Sequence, residues 1–354
     1  MKKIISILSM FIAIAIATVS CSSNDDNEIT EPTLSTLASI NDFSIAIENV
    51  STTDITYDLG TNITVSVPFG TSLTAVVPTI ELAENATVSP ASGESITFVD
   101  GEPKTFTVTA EDGETTKEYT VTVNVKAEVG SGFKLKTYVL ADLYGENSTT
   151  TYTYNEANFV SSFSKEEDVW GDISTTVYTL VYNDKNQVTE KTTENGSTIY
   201  EYNDAGQIVK GIYKYEDVLT YTYVYNYDAV SGNLIRVERT NHTGDEDEID
   251  DIKTYKYDEN NNVIELITGT AQSNVFTASY DDKNNPFKGM YPAAYAAINV
   301  GIEEVNTNNP ISGTLADDTV TYEYNTDGYP LTAAYTYFDG FATVNKTFTY
   351  YAAE

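Results

Sequence analysis

One thiol and one imidazole bound the chemistry open to these 354 residues: Cys21 is the only cysteine and His242 the only histidine. A lone thiol closes no intrachain disulfide and builds no Cys-based zinc or iron–sulfur site. His242 lies in Asn241-His242-Thr243-Gly244-Asp245-Glu246-Asp247-Glu248, which reads as a solvated acidic loop. Neither a catalytic triad nor a multi-histidine metal site is specified there. The loop also lacks the Asp-x-Asp-x-Asp-Gly spacing that wraps oxygen ligands around calcium. Glycoside hydrolysis needs only two carboxylates, and among 53 acidic residues no pair is singled out. No Gly-rich phosphate loop or Gly-x-Ser-x-Gly elbow occurs. The expectation is a chain with no catalytic residue, no metal and no cofactor.

Binding is the chemistry that the composition favours. The chain has 28 tyrosines, and tyrosine offers a flat apolar ring with a polar tip at little cost in conformational entropy. Sugar rings stack on such faces. Most of these tyrosines recur at strand spacing, where cross-strand pairing stabilises a sheet. Three aromatics stand apart as candidate ligand-binding residues. Trp170, between Glu166-Glu167-Asp168 and Gly171-Asp172, falls in a hairpin loop, and Tyr291 and Tyr295 fall in the one segment that breaks the strand pattern. The expected partner is extracellular polysaccharide, with an envelope protein as the alternative. Nucleic acid is excluded, because a net charge of −34 repels a polyanion and no Lys/Arg cluster offsets it.

Residues 1–20 read as a secretory signal: Lys2 and Lys3, then an apolar stretch from Ile4 to Val19 that is too short for a spanning helix. Thr18-Val19-Ser20-Cys21 resembles a bacterial lipobox, which implies cleavage before Cys21 and acylation of that residue. Two or three acyl chains, at about 0.8 kcal/mol per buried CH₂, make a stable anchor in outer-membrane lipid. Residues 21–35 then form a tether that opens Ser22-Ser23-Asn24-Asp25-Asp26-Asn27-Glu28, with no apolar residue to bury. A serine and acidic residues after the lipid-bearing cysteine resemble the surface-export signal of Bacteroidetes lipoproteins. That implies a protein facing the cell exterior; a periplasm-facing lipoprotein is the other reading.

The elements that would position any site are strands throughout. From 36 to 126, short alternating runs such as Ile63-Thr64-Val65-Ser66-Val67, Ser95-Ile96-Thr97-Phe98 and Glu118-Tyr119-Thr120-Val121-Thr122-Val123 predict a β-sandwich. Val65-Ser66-Val67-Pro68-Phe69-Gly70-Thr71, Ser89-Pro90-Ala91-Ser92-Gly93 and Phe106-Thr107-Val108-Thr109-Ala110-Glu111-Asp112-Gly113 resemble the Ig-like modules placed first in many Bacteroidetes surface lipoproteins. The resemblance implies a spacer that carries a distal domain. Residues 127–132, Ala-Glu-Val-Gly-Ser-Gly, read as a flexible linker.

From 133 to 354 the composition changes, and 26 of the tyrosines lie there. A repeat runs through it: Tyr-Asx, two free positions, then Gly or Asn. Its copies are Tyr154-Asn155, Tyr182-Asn183, Tyr202-Asn203, Tyr257-Asp258, Tyr280-Asp281 and Tyr324-Asn325, and Tyr227-Asp228 begins a copy one residue longer. The Asx side chain can bond to backbone two residues on, and the later Gly or Asn can take positive φ, so each copy predicts a hairpin closed by a bulge. The pattern resembles the Tyr-Asp repeats of the Rhs type. A transmembrane barrel is disfavoured because Thr, Glu and Lys stand between the tyrosines. Pro292-Ala293-Ala294-Tyr295-Ala296-Ala297-Ile298 predicts one short helix, read as a plug over the sheet or a lid on a pocket, with Asn306 to Gly313 returning as loop. The predicted fold is all-β: an Ig-like sandwich, then a long antiparallel meander, a curved sheet or roll, with one short helix. The functional expectation is a non-enzymatic surface lipoprotein presenting a Tyr-rich face, or else a structural or adhesion lipoprotein.

Overall fold

The computed structural model describes residues 33–47, 56–58, 60–142 and 146–352. Cys21, the signal and most of the acidic tether lie outside the described residues.

The N-terminal strands are β1 (Ile40–Ala46), β2 (Thr56–Asp58), β3 (Asn62–Val67), β4 (Val77–Leu82), β5 (Thr87–Ser89), β6 (Pro103–Thr109) and β7 (Thr116–Val125). β1 pairs with β4, and the others form a five-stranded sheet in the order β2-β3-β7-β6-β5. Burial follows the period of two. Ile63, Val65 and Val67 of β3 and Val121 and Val123 of β7 are fully buried, with polar residues between them. Each such side chain contributes about 1.5–3 kcal/mol. Phe43 of β1 meets Phe106 of β6 edge to face at 5.9 Å, so the two sheets share one core. The strand expected at Ser95–Phe98 is instead a single bridge from Ile96 to Val76. Ile96 and Phe98 still alternate into the interior, which is the pattern the sequence displayed.

The second body is one antiparallel sheet of 16 strands. Its strands are β8 (Leu135–Asp142), β9 (Glu146–Tyr154), β10 (Val160–Val169), β11 (Asp172–Tyr182), β12 (Val188–Thr192), β13 (Gly196–Tyr202), β14 (Ile208–Tyr215) and β15 (Val218–Tyr227). They continue as β16 (Leu234–Asn241), β17 (Glu248–Tyr257), β18 (Val263–Thr268), β19 (Asn274–Tyr280), β20 (Pro310–Gly313), β21 (Thr321–Tyr324), β22 (Pro330–Tyr337) and β23 (Ala342–Tyr350). Neighbours in sequence are neighbours in space, with one exception. β8 also pairs with β23, and the edges of the sheet are therefore β20 and β21. The Val320 amide donates to the Ile311 carbonyl at 2.8 Å, bringing those edges together and rolling the sheet almost into a barrel.

The turns obey the chemistry read from the repeat. Asn183 Oδ1 accepts from the amides of Lys185 and Gln187, Asn203 Oδ1 from Ala205 and Gln207, and Asp258 Oδ1 from Asn260 and Asn262. Asn158, Asn186, Gly206, Gly232, Asn261 and Gly328 take positive φ, and a bulge follows each turn. The copy at Tyr280-Asp281 differs: it closes no hairpin. The chain leaves the sheet there, and Asp281 Oδ1 accepts from the Asn309 amide on the far side of the excursion.

The tyrosine of each copy has a role that the repeat did not disclose. At the end of its strand, its hydroxyl donates to the carbonyl of the first residue of the outgoing strand one hairpin earlier. Tyr182 reaches Val160 at 2.5 Å, Tyr202 reaches Val188 at 2.7 Å, Tyr227 reaches Ile208 at 2.6 Å, Tyr257 reaches Leu234 at 2.7 Å and Tyr280 reaches Val263 at 2.7 Å. Tyr154 to Leu135 and Tyr350 to Pro330 extend the series to both ends. In β21 the latch moves two residues, with Tyr322 on Pro310 and Tyr324 on Asp281. The sheet is thus stitched side to side by its own repeat.

The excursion between β19 and β20 carries the helix α1 (Ala293–Ala297), as expected. The segment expected to be loop after Asn306 ends in strand β20, because Ser279 and Ala278 of β19 pair with Ser312 and Gly313. Met290, Tyr295 and Ile302 are buried among Tyr152, Tyr200, Tyr225 and Tyr255, so the excursion plugs the roll. Buried amides fasten it. Asn262, fully buried, accepts from the Thr307 and Asn308 amides through Oδ1, and Asn306 Oδ1 accepts from the Val263 amide. Residues 127–132, read as a linker, run along the turns of this end. Glu128 accepts at its carboxylate from the Ala293 amide and at its carbonyl from Asn186 Nδ2. Gly130 passes so close to Asn158 that a Cβ would sit 2.4 Å from its carbonyl oxygen.

Candidate binding site

The two ends of the roll differ. The Tyr-Asx turns and the plug's fastenings occupy one end: the Val160 amide donates to Met290, and Tyr280 donates to Ile302 as well as Val263. The other hairpin tips occupy the opposite end, where the roll holds a cavity of about 600 Å³. Its walls come from the tip halves of strands eight to thirteen positions apart in sheet order. Leu140 and Asp142 of β8, Lys165, Glu167 and Val169 of β10, and Tyr335 and Tyr337 of β22 face Leu266 of β18 and Phe276 of β19. The floor is Ile302-Glu303-Glu304 from the plug.

Polar groups in this cavity are tied to one another. Lys346, only 7% exposed, forms an ion pair with Glu303 and lies over the Tyr335 ring at 5.1 Å. Tyr337 donates to Asp142 Oδ2 at 2.7 Å, and Lys165 pairs with Glu167 at 2.6 Å. Burial, with Glu303 beside it, holds the Glu304 carboxyl above its usual range. The cavity therefore offers aromatic and aliphatic walls together with fixed carboxylate acceptors, the lining of a polar small-molecule site.

Trp170 follows Val169 at the rim and is 77% exposed. It and Gly171 both take positive φ, the requirement of a two-residue type I′ loop. A tryptophan there is strained, since bulky residues rarely adopt that region. Phe338, next to the cavity residue Tyr337, also has positive φ and is 68% exposed, and Phe341 is 70% exposed. Phe338 also packs against the Tyr337 ring at 4.8 Å, so the rim aromatics adjoin the cavity wall.

The other two aromatics singled out from sequence lie elsewhere. Tyr295 is 3% exposed, packed edge-on against Tyr200 at 5.4 Å and Tyr291 at 5.3 Å. Tyr291, partly buried, lines a separate cleft of about 350 Å³ beside Glu128, Tyr257 and Asn306. Trp170 is at the opposite end, so the three are not brought together. Sequence reasoning missed Tyr335, Tyr337, Glu303, Glu304 and Lys346. Their one available signal was Ile302-Glu303-Glu304, an acidic pair inside a segment otherwise rich in Ala and Asn.

His242 is less exposed than its acidic loop suggested. Nδ1 lies 2.8 Å from Asp247 Oδ1 and Nε2 lies 3.0 Å from Thr222 Oγ1, and only 15% of its side chain is exposed. The connectivity is that of an Asp-His-hydroxyl relay. Thr222 alternates with the core-facing Tyr225, so the relay lies on the outer face of the sheet, away from the cavity. There it pins the β16–β17 loop to β15, together with the bond from the His242 amide to Thr220. Among the described residues, no group of three or more His, Cys, Asp or Glu is placed to hold a metal ion.

Residues 40–123 match the family model "SGBP, N-terminal", and residues 182–212 match "RHS Repeat". No curated protein matches the chain. Among solved structures, a porin-like protein from Bacteroides uniformis is 17% identical, with 64% of this chain and 99% of that one covered and a TM-score of 0.44. A Bacteroides thetaiotaomicron protein provisionally called a glycoside hydrolase is 15% identical over 90% and 91% of the two chains, with a TM-score of 0.23. The Photorhabdus luminescens Tc holotoxin pore is 14% identical over 54% of this chain and 13% of that one, at 0.22. The family matches thus place an SGBP N-terminal region at residues 40–123 and an RHS repeat at residues 182–212, within the sheet.

Proposed function

We propose that the protein is a non-enzymatic, glycan-binding lipoprotein of the outer membrane, anchored through acylated Cys21 and facing the cell exterior. The match of residues 40–123 carries this reading, because SGBP denotes the surface glycan-binding proteins of Bacteroidetes. The exposed aromatics Trp170, Phe338 and Phe341 beside a carboxylate-lined cavity support it. Aromatic faces stack on sugar rings, and carboxylates accept from sugar hydroxyls.

Native electrophoresis of residues 22–354 through gels cast with a glucan, a mannan, a xylan and a polygalacturonate tests the reading. Retardation by one polymer, weakened in Trp170→Ala, is expected; free migration through all four overturns it. Loss of labelled palmitate incorporation in Cys21→Ala checks the anchor. A second reading, contact with an envelope protein, has its own support in the aliphatic residues Val177, Val181, Ile199, Val224 and Ile249, all more than 40% exposed.

A further inference from the structure

We infer that the cavity binds the terminus of an uncharged glycan chain, not its interior; this rests on the glycan-binding reading above. Three observations lead there. First, the cavity is blind. The plug closes the roll behind Ile302, and Met290 and Tyr295 fill the core beyond it, so a polymer entering between the rim aromatics cannot thread through. An interior stretch of polysaccharide has two exits to provide for, whereas a chain end has one. Second, the volume of about 600 Å³ falls mid-range for enclosed ligands and holds about two or three sugar rings. Third, the charges select. Asp142, Glu167, Glu303 and Glu304 line the site, while Lys165 and Lys346 are already paired with Glu167 and Glu303. Among the described residues the lining holds these four carboxylates against one lysine, Lys165, and the nearby Lys253 acts on Glu304, so the balance at the site is acidic and, with the chain's net charge of −34, disfavours a uronate or a sulfate. The carboxylates instead accept from hydroxyls, and the apolar wall, with Phe276 and Tyr337 in it, offers a surface to a sugar face.

Titration calorimetry on residues 22–354 tests this, with glucan, mannan and xylan as intact polymers and as fragments of two to four sugars, and with polygalacturonate fragments as the anionic control. One neutral series is expected to bind with one protein per chain whatever the chain length, and with fragments at least as tight as the polymer. The anionic fragments should bind at least tenfold more weakly. Leu315 and Ser148 also line the cavity, and Leu315→Trp and Ser148→Trp, each filling part of it, should each lower fragment affinity at least tenfold. Agreement of the two guards against a folding defect in either. If instead stoichiometry rises with polymer length, and both Trp variants bind as wild type while Trp170→Ala does not, the inference falls and the glycan-binding reading survives. If no glycan binds in any form, both fall together.

Discussion

At the scale of single residues, the repeat tyrosine is a latch before it is anything else. Tyr257→Phe keeps the ring and deletes only the bond to the Leu234 carbonyl, which Leu234 holds at a site 1% exposed. A loss of about 1 kcal/mol is expected by urea denaturation, whereas Tyr215→Phe, at a position 48% exposed, should cost nothing measurable. Glu304 gives a prediction that depends on pH. Its proton is held more tightly in the folded state, so it favours folding below the unfolded pKa and withdraws that support as pH rises through the raised value. Glu304→Gln should therefore have a higher denaturation midpoint than wild type at pH 7. The two midpoints should converge below about pH 4, where the unfolded carboxyl is also protonated.

At the scale of elements, the plug depends on buried amide groups more than on its five-residue helix. Asn262→Ala leaves the amides of Thr307 and Asn308 without the Oδ1 they share, in a site closed to water. A cost of about 1–3 kcal/mol follows. Hydrogen exchange should rise across 300–309 while the hairpins β12 to β15 keep their protection. The hairpins themselves were legible because everything that makes them is local: an Asx that bonds two residues on, a Gly or Asn at positive φ, and tyrosines two apart facing one way. The plug was legible as an interruption with a helix packed over the sheet, but how it is fastened was not. Its fastenings pair Asn262 with Asn308 and Asp281 with Asn309, contacts made across the excursion, and single-sequence patterning has no signal for them. For the same reason Tyr295 read as a ligand candidate. Its neighbours Tyr200 and Tyr291 meet it only once the roll has formed.

For the whole molecule, the decisive contact is the pairing of β8 with β23. Thr137 and Thr349 share a hydroxyl bond at 2.5 Å across 212 residues of sequence. Such a join carries a high loop-closure cost, because a long loop must close before the ladder rewards it. Deleting residues 342–354 removes Ala342, Val344 and Phe348 from the core and exposes two edges in the middle of the sheet. The truncated chain should aggregate on size-exclusion chromatography and lose cooperative thermal unfolding by circular dichroism. The cavity belongs to this scale too. Its walls lie eight to thirteen positions apart in the sheet order and are brought together by curvature, which is why local turn chemistry that disclosed most of the hairpins did not disclose this pocket.

The same join has a mechanical meaning. The chain enters the sheet at Leu135 of β8, a strand flanked on one side by β23 through seven register positions and on the other by β9. A pull transmitted along the polypeptide from its N-terminal side therefore meets an interior strand, not an edge. Peeling an edge strand breaks hydrogen bonds one at a time, while drawing β8 out along its own axis loads both of its ladders in shear at once. A load arriving from that side is therefore shared by two ladders at once and is not spent on a single edge bond at a time.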